Sequence, residues 1–120
     1  MSRDHRKLRI FAQADGLVME VYRATATLPV EERYVLQAQI RRGAISAAAN
    51  IVEGCARKST REYLNFLNIA NGSSAETAYL LNIARRLGLV SAADETEFAR
   101  RYGELSAGLQ KLIISLDDQP

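Results

Sequence analysis

The feature of this sequence that most constrains its fold is a hydrophobic repeat of three to four residues that runs through nearly the whole chain. Such spacing places apolar side chains on one stripe of an α-helix, whereas a half-buried strand needs strict alternation. Short interruptions of the repeat divide the chain into four helical segments. The predicted helices span about residues 8–27, 30–56, 60–87 and 92–116.

Local signals mark the ends of these helices. Pro29 disfavours a helical conformation in the residue before it, and it fits the first turn of the second helix. Ser59 and Glu62 have the spacing of a capping box, and Gly88 suits the left-handed conformation that ends many helices. Four helices with short connections pack most simply as an up-down-up-down antiparallel bundle. We therefore predict an all-α fold with a single domain over residues 1–120.

A second interpretation concerns the third segment, where Asn71-Gly72-Ser73-Ser74 has the composition of a turn. A break there would create a helix-turn-helix DNA binder with residues 75–87 as its recognition helix. The apolar stripe argues against a break, because it continues in the same phase on both sides of Gly72. Glycine in a helix interior costs about 1 kcal/mol relative to alanine, so we interpret Gly72 as a place where another backbone comes close.

Composition excludes several classes of protein. One cysteine, Cys55, and one histidine, His5, are too few for an internal disulfide, a zinc finger, an iron–sulfur cluster or a di-iron bundle. No apolar run approaches the roughly 18 residues of a membrane span, and the basic N-terminus leads into no signal-peptide core. We expect a cytoplasmic, non-enzymatic protein with no cofactor, no metal site, no membrane association and no small-molecule substrate.

The second helix contains ten consecutive residues without a charge, from Gly43 to Val52. A helix on the surface of a bundle normally presents a polar face to water within two turns, but every face of this segment is small or apolar. A bundle of 120 residues can cover each helix on only one side. We therefore expect a second copy of the chain to cover the other side. The alternative is an alanine-rich helix that is partly open to solvent.

Polar residues that flank this segment in helical register are candidates for contacts between helices or subunits. Arg41 or Arg42 could pair with Glu76 across the second and third helices. Asn50 could reach the backbone near Gly72. We interpret these groups as a paired and hydrogen-bonded lock, since an unpaired buried charge is very unfavourable. The candidate structural and interface residues are Arg41, Arg42, Ser46, Asn50, Glu53, Gly72 and Glu76.

The formal net charge of +2 is unevenly distributed. Residues 1–61 hold eleven Lys and Arg against six Asp and Glu, a charge of +5, whereas residues 62–120 hold five against eight, a charge of −3. A basic half can bind a polyanion such as RNA, and it can also meet the acidic half of another subunit. The candidate nucleic-acid-binding residues are Arg3, Arg6, Lys7, Arg9, Arg57, Lys58 and Arg61.

A resemblance to a known family rests on residues 28–36, 39–44, 50–54 and 66–76, together with Arg57 and Ser59. These motifs are similar, in the same order, to the four helix bundle family of 23S ribosomal RNA intervening-sequence proteins. The resemblance covers the chain from about Leu8 to Leu89 and fades in the last helix. Two departures are mild: Val52 stands where the family commonly has alanine, and Gly43 stands where it often has a second alanine.

The resemblance implies an oligomeric state and no particular catalytic activity. Family members are encoded in insertions within ribosomal RNA genes and elsewhere in bacterial genomes, and they resemble homopentamers without an established catalytic activity. Their fold is similar to the basic pentameric accessory protein of diversity-generating retroelements, which works with a reverse transcriptase and nucleic acid. For this chain the resemblance implies a homo-oligomer, a pentamer in particular, in which repeated basic residues form a ring that could bind RNA. The alternative is a scaffold that binds a polypeptide partner.

Overall fold

Four long helices make up the computed structural model, which describes residues 3–118. We number them α1 (Arg9–Thr25), α2 (Ala38–Cys55), α3 (Thr60–Arg86) and α4 (Ala92–Asp117). A 3₁₀ turn, His5–Lys7, precedes α1. Between residues 3 and 118 there is no strand, and the predicted all-α fold is confirmed. None of the helices in this range is both long and apolar enough to cross a lipid bilayer.

The start of α3 is fixed by the capping pair that its sequence contains. The Ser59 hydroxyl accepts a hydrogen bond of 3.1 Å from the backbone N–H of Glu62 and donates one of 3.0 Å to the carboxylate of the same residue. The glutamate therefore engages the hydroxyl of Ser59, whereas in an ideal capping box it would accept from the backbone N–H of the capping residue. Ser91 caps α4 in the same way, by accepting a hydrogen bond of 3.0 Å from the N–H of Asp94.

The end of α3 is a left-handed turn at Gly88, which has a φ of 76°. The N–H of Gly88 donates to the carbonyl of Arg85 at 2.9 Å, and the N–H of Leu89 donates to the carbonyl of Ala84 at 2.8 Å. These two bonds form a Schellman motif, which satisfies carbonyl groups that the helix itself leaves without partners. Positive φ is well tolerated only by glycine, so the residue type determines where this helix ends.

The second helix begins differently from the sequence prediction. A 3₁₀ turn, Val30–Glu32, and one π-helical turn, Arg33–Gln37, come before α2. The π turn contains Leu36, which is buried, and Gln37, whose side-chain amide donates to the carbonyl of Thr25 at 2.7 Å. A π turn holds one more residue than an α turn, and within this turn Gln37 reaches α1 while Leu36 is buried in the core.

Contacts join the end of one helix to the start of another. Gly54 near the end of α2 packs against Tyr63 near the start of α3. Three hydrogen bonds show the same arrangement for the other pairs: Arg41 to Thr25 (2.9 Å), Asn82 to Glu95 (3.1 Å) and Arg23 to Asp94 (3.0 Å). The helices α1 and α4 thus close the bundle on the side away from the α2–α3 contact.

The core lies along the bundle axis and takes one apolar stripe from each helix. Leu17, Ile51, Leu67 and Leu105 are fully buried examples, one per helix. The helices α2 and α3 are in close contact at Gly43, where a Cβ would overlap the hydroxyl oxygen of Thr77. A side chain at this position of α2 would therefore require Thr77 or its surroundings to shift.

The helix-turn-helix interpretation is wrong, since α3 passes through residues 71–74 without a break. No other backbone comes close to Gly72 within residues 3–118, so the interpretation of Gly72 stays a prediction for a contact with another copy. Gly72 is exposed, and no atom of its surroundings between residues 3 and 118 lies within 4 Å of the position that its Cβ would occupy. The helix continues because the apolar stripe around Gly72 is buried in phase on both sides, at Ala70 and Ser74, and this burial outweighs the weak preference of glycine for a turn.

Candidate nucleic-acid interface

The two groups of basic residues that the sequence singles out lie at the same end of the bundle. The backbone N–H of Arg3 donates to the carbonyl of Cys55, the last residue of α2, at 2.8 Å. The Arg3 guanidinium lies over the ring of Tyr63, 4.1 Å from its centroid. Residues 3–9 are thereby held against the connection between α2 and α3. We call the set Arg3, Arg6, Lys7, Arg9, Arg57, Lys58 and Arg61 the basic end.

Two of these arginines are partly neutralised by carboxylates. Arg6 pairs with Asp4 at 3.0 Å, and this hydrogen bond lowers the pKa of Asp4 below its ordinary value. Arg57 pairs with Glu53 one turn earlier on α2, and its guanidinium lies 4.8 Å from the centroid of the Phe66 ring. Both arginines keep N–H groups for other acceptors, but their charge is less available than that of an unpaired side chain.

The other side chains of the basic end are open to an external anion. Lys7, Arg9, Lys58 and Arg61 are exposed, and none of them forms an ion pair with a residue in the range 3–118. Asp117 at the end of α4 lies at the same end of the molecule. The surface there is therefore a positive patch with acidic residues beside it, and a ligand would contact several cations at once.

Sequence reasoning missed the part that aromatic residues play at this end. Tyr63 and Phe66 stand three residues apart at the start of α3, and each carries an arginine over its ring. Cation–π contacts of this kind attract the guanidinium to the face of the ring. The available signal was the spacing of two aromatic residues immediately after a basic connection.

Cys55 is buried beneath the N-terminal segment, and burial raises the pKa of its thiol. A thiol with a raised pKa is a poor nucleophile near neutral pH. Within residues 3–118 there is no group of three His, Cys, Asp or Glu side chains that could hold a metal ion.

The contacts predicted for Arg41 and Asn50 are not the ones observed. Arg41 turns towards α1, where it donates to the hydroxyl of Thr25 at 2.9 Å and lies 4.2 Å from the ring centroid of Tyr22. The predicted pair with Glu76 is wrong for Arg41, because α1 packs on its side of α2. Arg42 and Glu76 are exposed, and neither forms an ion pair with a residue from 3 to 118.

A polar bridge joins the middle of α2 to the middle of α3. The hydroxyls of Ser46 and Ser73 are 2.9 Å apart. The Asn50 side-chain amide donates to the carbonyl of Ser46 at 2.8 Å and to its hydroxyl at 3.0 Å. Asn50 therefore supports the α2–α3 contact through Ser46, and the prediction that it reaches the backbone near Gly72 is wrong.

The uncharged segment of α2 is buried on one side only within this protomer. Ala44, Ala47 and Ala48 are buried, whereas Ile45 and Ala49 are exposed. The adjoining surface of α3 is also small or apolar, and Tyr79 there is 60% exposed. We call this surface the α2–α3 face; its exposed residues are Arg42, Ile45, Ala49, Ile69, Gly72, Ala75, Glu76 and Tyr79.

Comparison with known proteins gives a family and a fold. Residues 6–111 match the family model described as 23S rRNA-intervening sequence protein. A crystal structure of a Bacteroides thetaiotaomicron protein, described as having unknown function and as a member of the S23 ribosomal protein family, superimposes with a TM-score of 0.80. The two chains are 24% identical, and the match covers 87% of this chain and 94% of the other. No curated protein matches the sequence.

Proposed function

The chain belongs to the 23S rRNA-intervening sequence protein family, and from this premise we propose that it is a non-enzymatic homo-oligomer of up-down-up-down bundles that binds RNA through the basic end. The observation that carries the proposal is the hydrogen bond from the Arg3 N–H to the Cys55 carbonyl. It brings two separate basic segments of the chain to one surface, where their positive charges act together.

The chemistry of the basic end suits phosphate groups. Lys and Arg side chains that neutralise phosphates release condensed counterions, and this release supplies most of the affinity of sequence-independent binding. Arg3 and Arg57 are held over aromatic rings, so less side-chain freedom is lost when they meet an anion. Lys7, Arg9, Lys58 and Arg61 are exposed around them. Such an arrangement supports contacts to the backbone of RNA more than recognition of base edges.

The α2–α3 face supports the homo-oligomer. Contiguous exposed apolar surface usually marks a contact with another molecule, and the small residues Ala49, Gly72 and Ala75 allow close approach of a second helix. Arg42 and Glu76 lie on this face without partners between residues 3 and 118, and they have opposite charges. In a closed ring every subunit has the same orientation, so the basic ends would all lie on one side of the ring.

The test is RNA binding by two double variants, each of which removes two positive charges, one at the start of α3 and the other at its end. Lys58→Ala with Arg61→Ala changes the basic end, and Arg85→Ala with Arg86→Ala is the matched control, since all four side chains are exposed. Fluorescence anisotropy with a labelled hairpin RNA is measured at about 50 mM and about 200 mM salt. We expect the first variant to lose about tenfold in affinity at low salt and to show a shallower salt dependence.

The control variant should bind like the natural sequence. Equal losses in the two variants would place RNA binding away from the basic end. Absence of RNA binding by the natural sequence at low salt would contradict the proposal as a whole.

A second candidate function is a scaffold for a polypeptide, and one observation favours it. Val30, Tyr34 and Val35 form an exposed apolar group before α2, and Tyr34 is 90% exposed. This group is at the opposite end of the bundle from the basic end. A polypeptide partner would stay bound after nuclease treatment and at high salt, whereas retention through RNA would be lost in both conditions. Co-purification in the presence and absence of nuclease separates the two functions.

A further inference from the structure

A groove of about 410 Å³ runs between the first half of α1 and the second half of α4. Its floor is apolar and contains Ile10 and Gly108, and Ala107 lines the α4 side. This volume is within the usual range for sites that bind small organic molecules. No residue of this groove apart from Arg9 belongs to the surfaces described above.

The groove owes its shape to Gly108. A Cβ at this position would lie 3.0 Å from a methyl carbon of Ile10 and 3.9 Å from the side-chain oxygen of Gln13. The missing side chain allows α4 to come close to Ile10, and it leaves the amide group of Gln13 beside the floor. The result is a shallow apolar surface with a hydrogen-bonding group at its edge.

The groove has positive charges at one end and hydrogen-bonding or acidic groups at the other. Arg9 and Lys111 are exposed at the end that adjoins the basic end. Towards the middle of the bundle the groove is lined by Gln13 and by Glu104, whose carboxylate is held by Arg100 on the same helix at 2.6 Å. A complementary ligand has an anionic group at one end, a flat apolar body, and a hydrogen-bond donor at the other end.

We propose that the groove binds one nucleotide of single-stranded RNA, with its phosphate between Arg9 and Lys111 and its base over Ile10 and Gly108. An amino group on the base edge would donate to Gln13 or Glu104. Bases in a duplex are paired and stacked, whereas bases of single strands can turn out into protein sites. The inference rests on the proposed function and deepens it, because it names single-stranded RNA as the class that the basic end binds.

The position of the groove agrees with the proposed assembly. It lies on the α1–α4 side of the bundle, away from the α2–α3 face, and so it would remain open in a homo-oligomer. It is continuous with the basic end through Arg9, which belongs to both. An RNA strand that crosses the basic end could therefore place one of its nucleotides in the groove of each subunit.

The test is a titration of the full chain with adenosine monophosphate, followed by amide NMR shifts, with inorganic phosphate as the parallel ligand. We expect saturable shifts at Gln13 and Gly108 with the nucleotide, and an affinity at least about fivefold weaker for inorganic phosphate. Absence of saturable shifts at these two residues would overturn the proposal. Equal affinities for nucleotide and phosphate would also overturn it, because the base would then make no contribution.

Two variants probe the two parts of the groove. Ala107→Leu fills its apolar side, and Lys111→Ala removes a phosphate contact; each should weaken nucleotide binding by about fivefold or more. Ala99→Leu places the same side chain at an exposed position of α4 outside the groove, and it should bind the nucleotide normally. Equal effects of Ala107→Leu and Ala99→Leu would contradict the groove as the site.

The inference and the proposed function can fail separately. If a single-stranded RNA and a duplex RNA of equal length bind with the same affinity, and Ala107→Leu affects neither, the groove proposal is wrong while RNA binding stands. If neither RNA binds but the mononucleotide gives saturable shifts at Gln13 and Gly108, the groove is a nucleotide site and the proposed RNA function is wrong.

Discussion

Tyr63 is the buried side chain that packs beneath Arg3 at the basic end. The residue is 2% exposed, the Arg3 guanidinium lies over one face of its ring, and its hydroxyl lies beside the thiol of Cys55. Burial raises the pKa of Tyr63 to about 12, an effect that the positive charge of Arg3 only partly offsets. The folded protein therefore holds this phenol in its neutral form under conditions in which an unfolded chain would ionise it.

This difference predicts a loss of stability in alkali. The folded pKa of Tyr63 is above the unfolded value, so its contribution is complete below about pH 10 and is lost as the pH rises towards 12. Above pH 10 the unfolded chain binds fewer protons, and the free energy of unfolding should fall by about 1–2 kcal/mol because of this residue. Tyr63→Phe should flatten the decline, as measured by urea unfolding from pH 8 to 12.

Tyr34→Phe is the control for this experiment, because the Tyr34 side chain is exposed in the folded protein. Burial also raises the pKa of Tyr102, but this residue is unchanged in both variants and contributes equally to their curves. Identical pH profiles for Tyr63→Phe and the natural sequence would show that the Tyr63 phenol is not protected from ionisation.

The pairing of α2 with α3 depends on glycines at points of close contact. Gly43 faces Thr77, and Gly54 faces Tyr63 and Phe66, with a Cβ at Gly54 predicted to lie 3.0 Å from the Cβ of Phe66. Thr77 cannot turn away, because it is buried and its hydroxyl donates to the carbonyl of Ser73 at 2.7 Å. At this point α2 and α3 pack together because Gly43 has no side chain where the branched side chain of Thr77 lies.

A double-mutant cycle tests this pairing. Gly43→Ala should destabilise the natural protein by about 1–3 kcal/mol, because its methyl group would overlap the Thr77 hydroxyl. In the Thr77→Ala background the same change should be neutral or stabilising, because alanine has the higher helix propensity. Thermal or urea unfolding of the four proteins gives the coupling energy. Additive effects would mean that the contact is not made.

Sequence patterns predicted the helices well where the determinants are local. Ser59 and Glu62 fix the start of α3, and Gly88 fixes its end, through contacts within a few residues. The start of the second helix could not be predicted, because its π turn depends on a hydrogen bond from Gln37 to Thr25 of another helix. Helix capping depends on neighbouring residues in the sequence, whereas a change of helical register depends on tertiary contacts.

The candidate site follows the same rule. Its basic residues were identifiable from charge alone, but the meeting of its two segments depends on a backbone hydrogen bond from Arg3 to Cys55, which has no side-chain pattern. The partner of Arg41 was missed because a helix periodicity shows which residues share a face without showing which helix covers it. The groove at Gly108 was missed for the same reason.

The whole molecule is a rod with extents of 49 × 23 × 19 Å. The basic end lies at one end of the rod, and the exposed apolar group of Val30, Tyr34 and Val35 lies at the other. The α2–α3 face runs along its side. A rod with one apolar side can associate laterally, and lateral association keeps the ends of all copies accessible.

Light scattering tests the assembly through one residue of that face. Ile69 is 42% exposed, and Ile69→Glu places a charge where another copy is expected to pack. The natural sequence should have a mass several times that of the 13.3 kDa chain, and the variant should have the mass of the chain itself. Ile114→Glu, on the exposed side of α4, should stay assembled. A natural protein that measures as a monomer would rule out the proposed ring.

Several residues on two chain segments supply the positive charge of the basic end, so homologues can differ at individual positions. The field arises from exposed side chains on two chain segments that one main-chain hydrogen bond holds together, so no individual lysine or arginine is indispensable. Homologues can exchange Lys for Arg, or move a cation by one turn, and keep the same potential. We expect homologues to conserve the number of positive charges at the basic end while the positions of those charges vary. Gly43 and Thr77, by contrast, should be substituted only together.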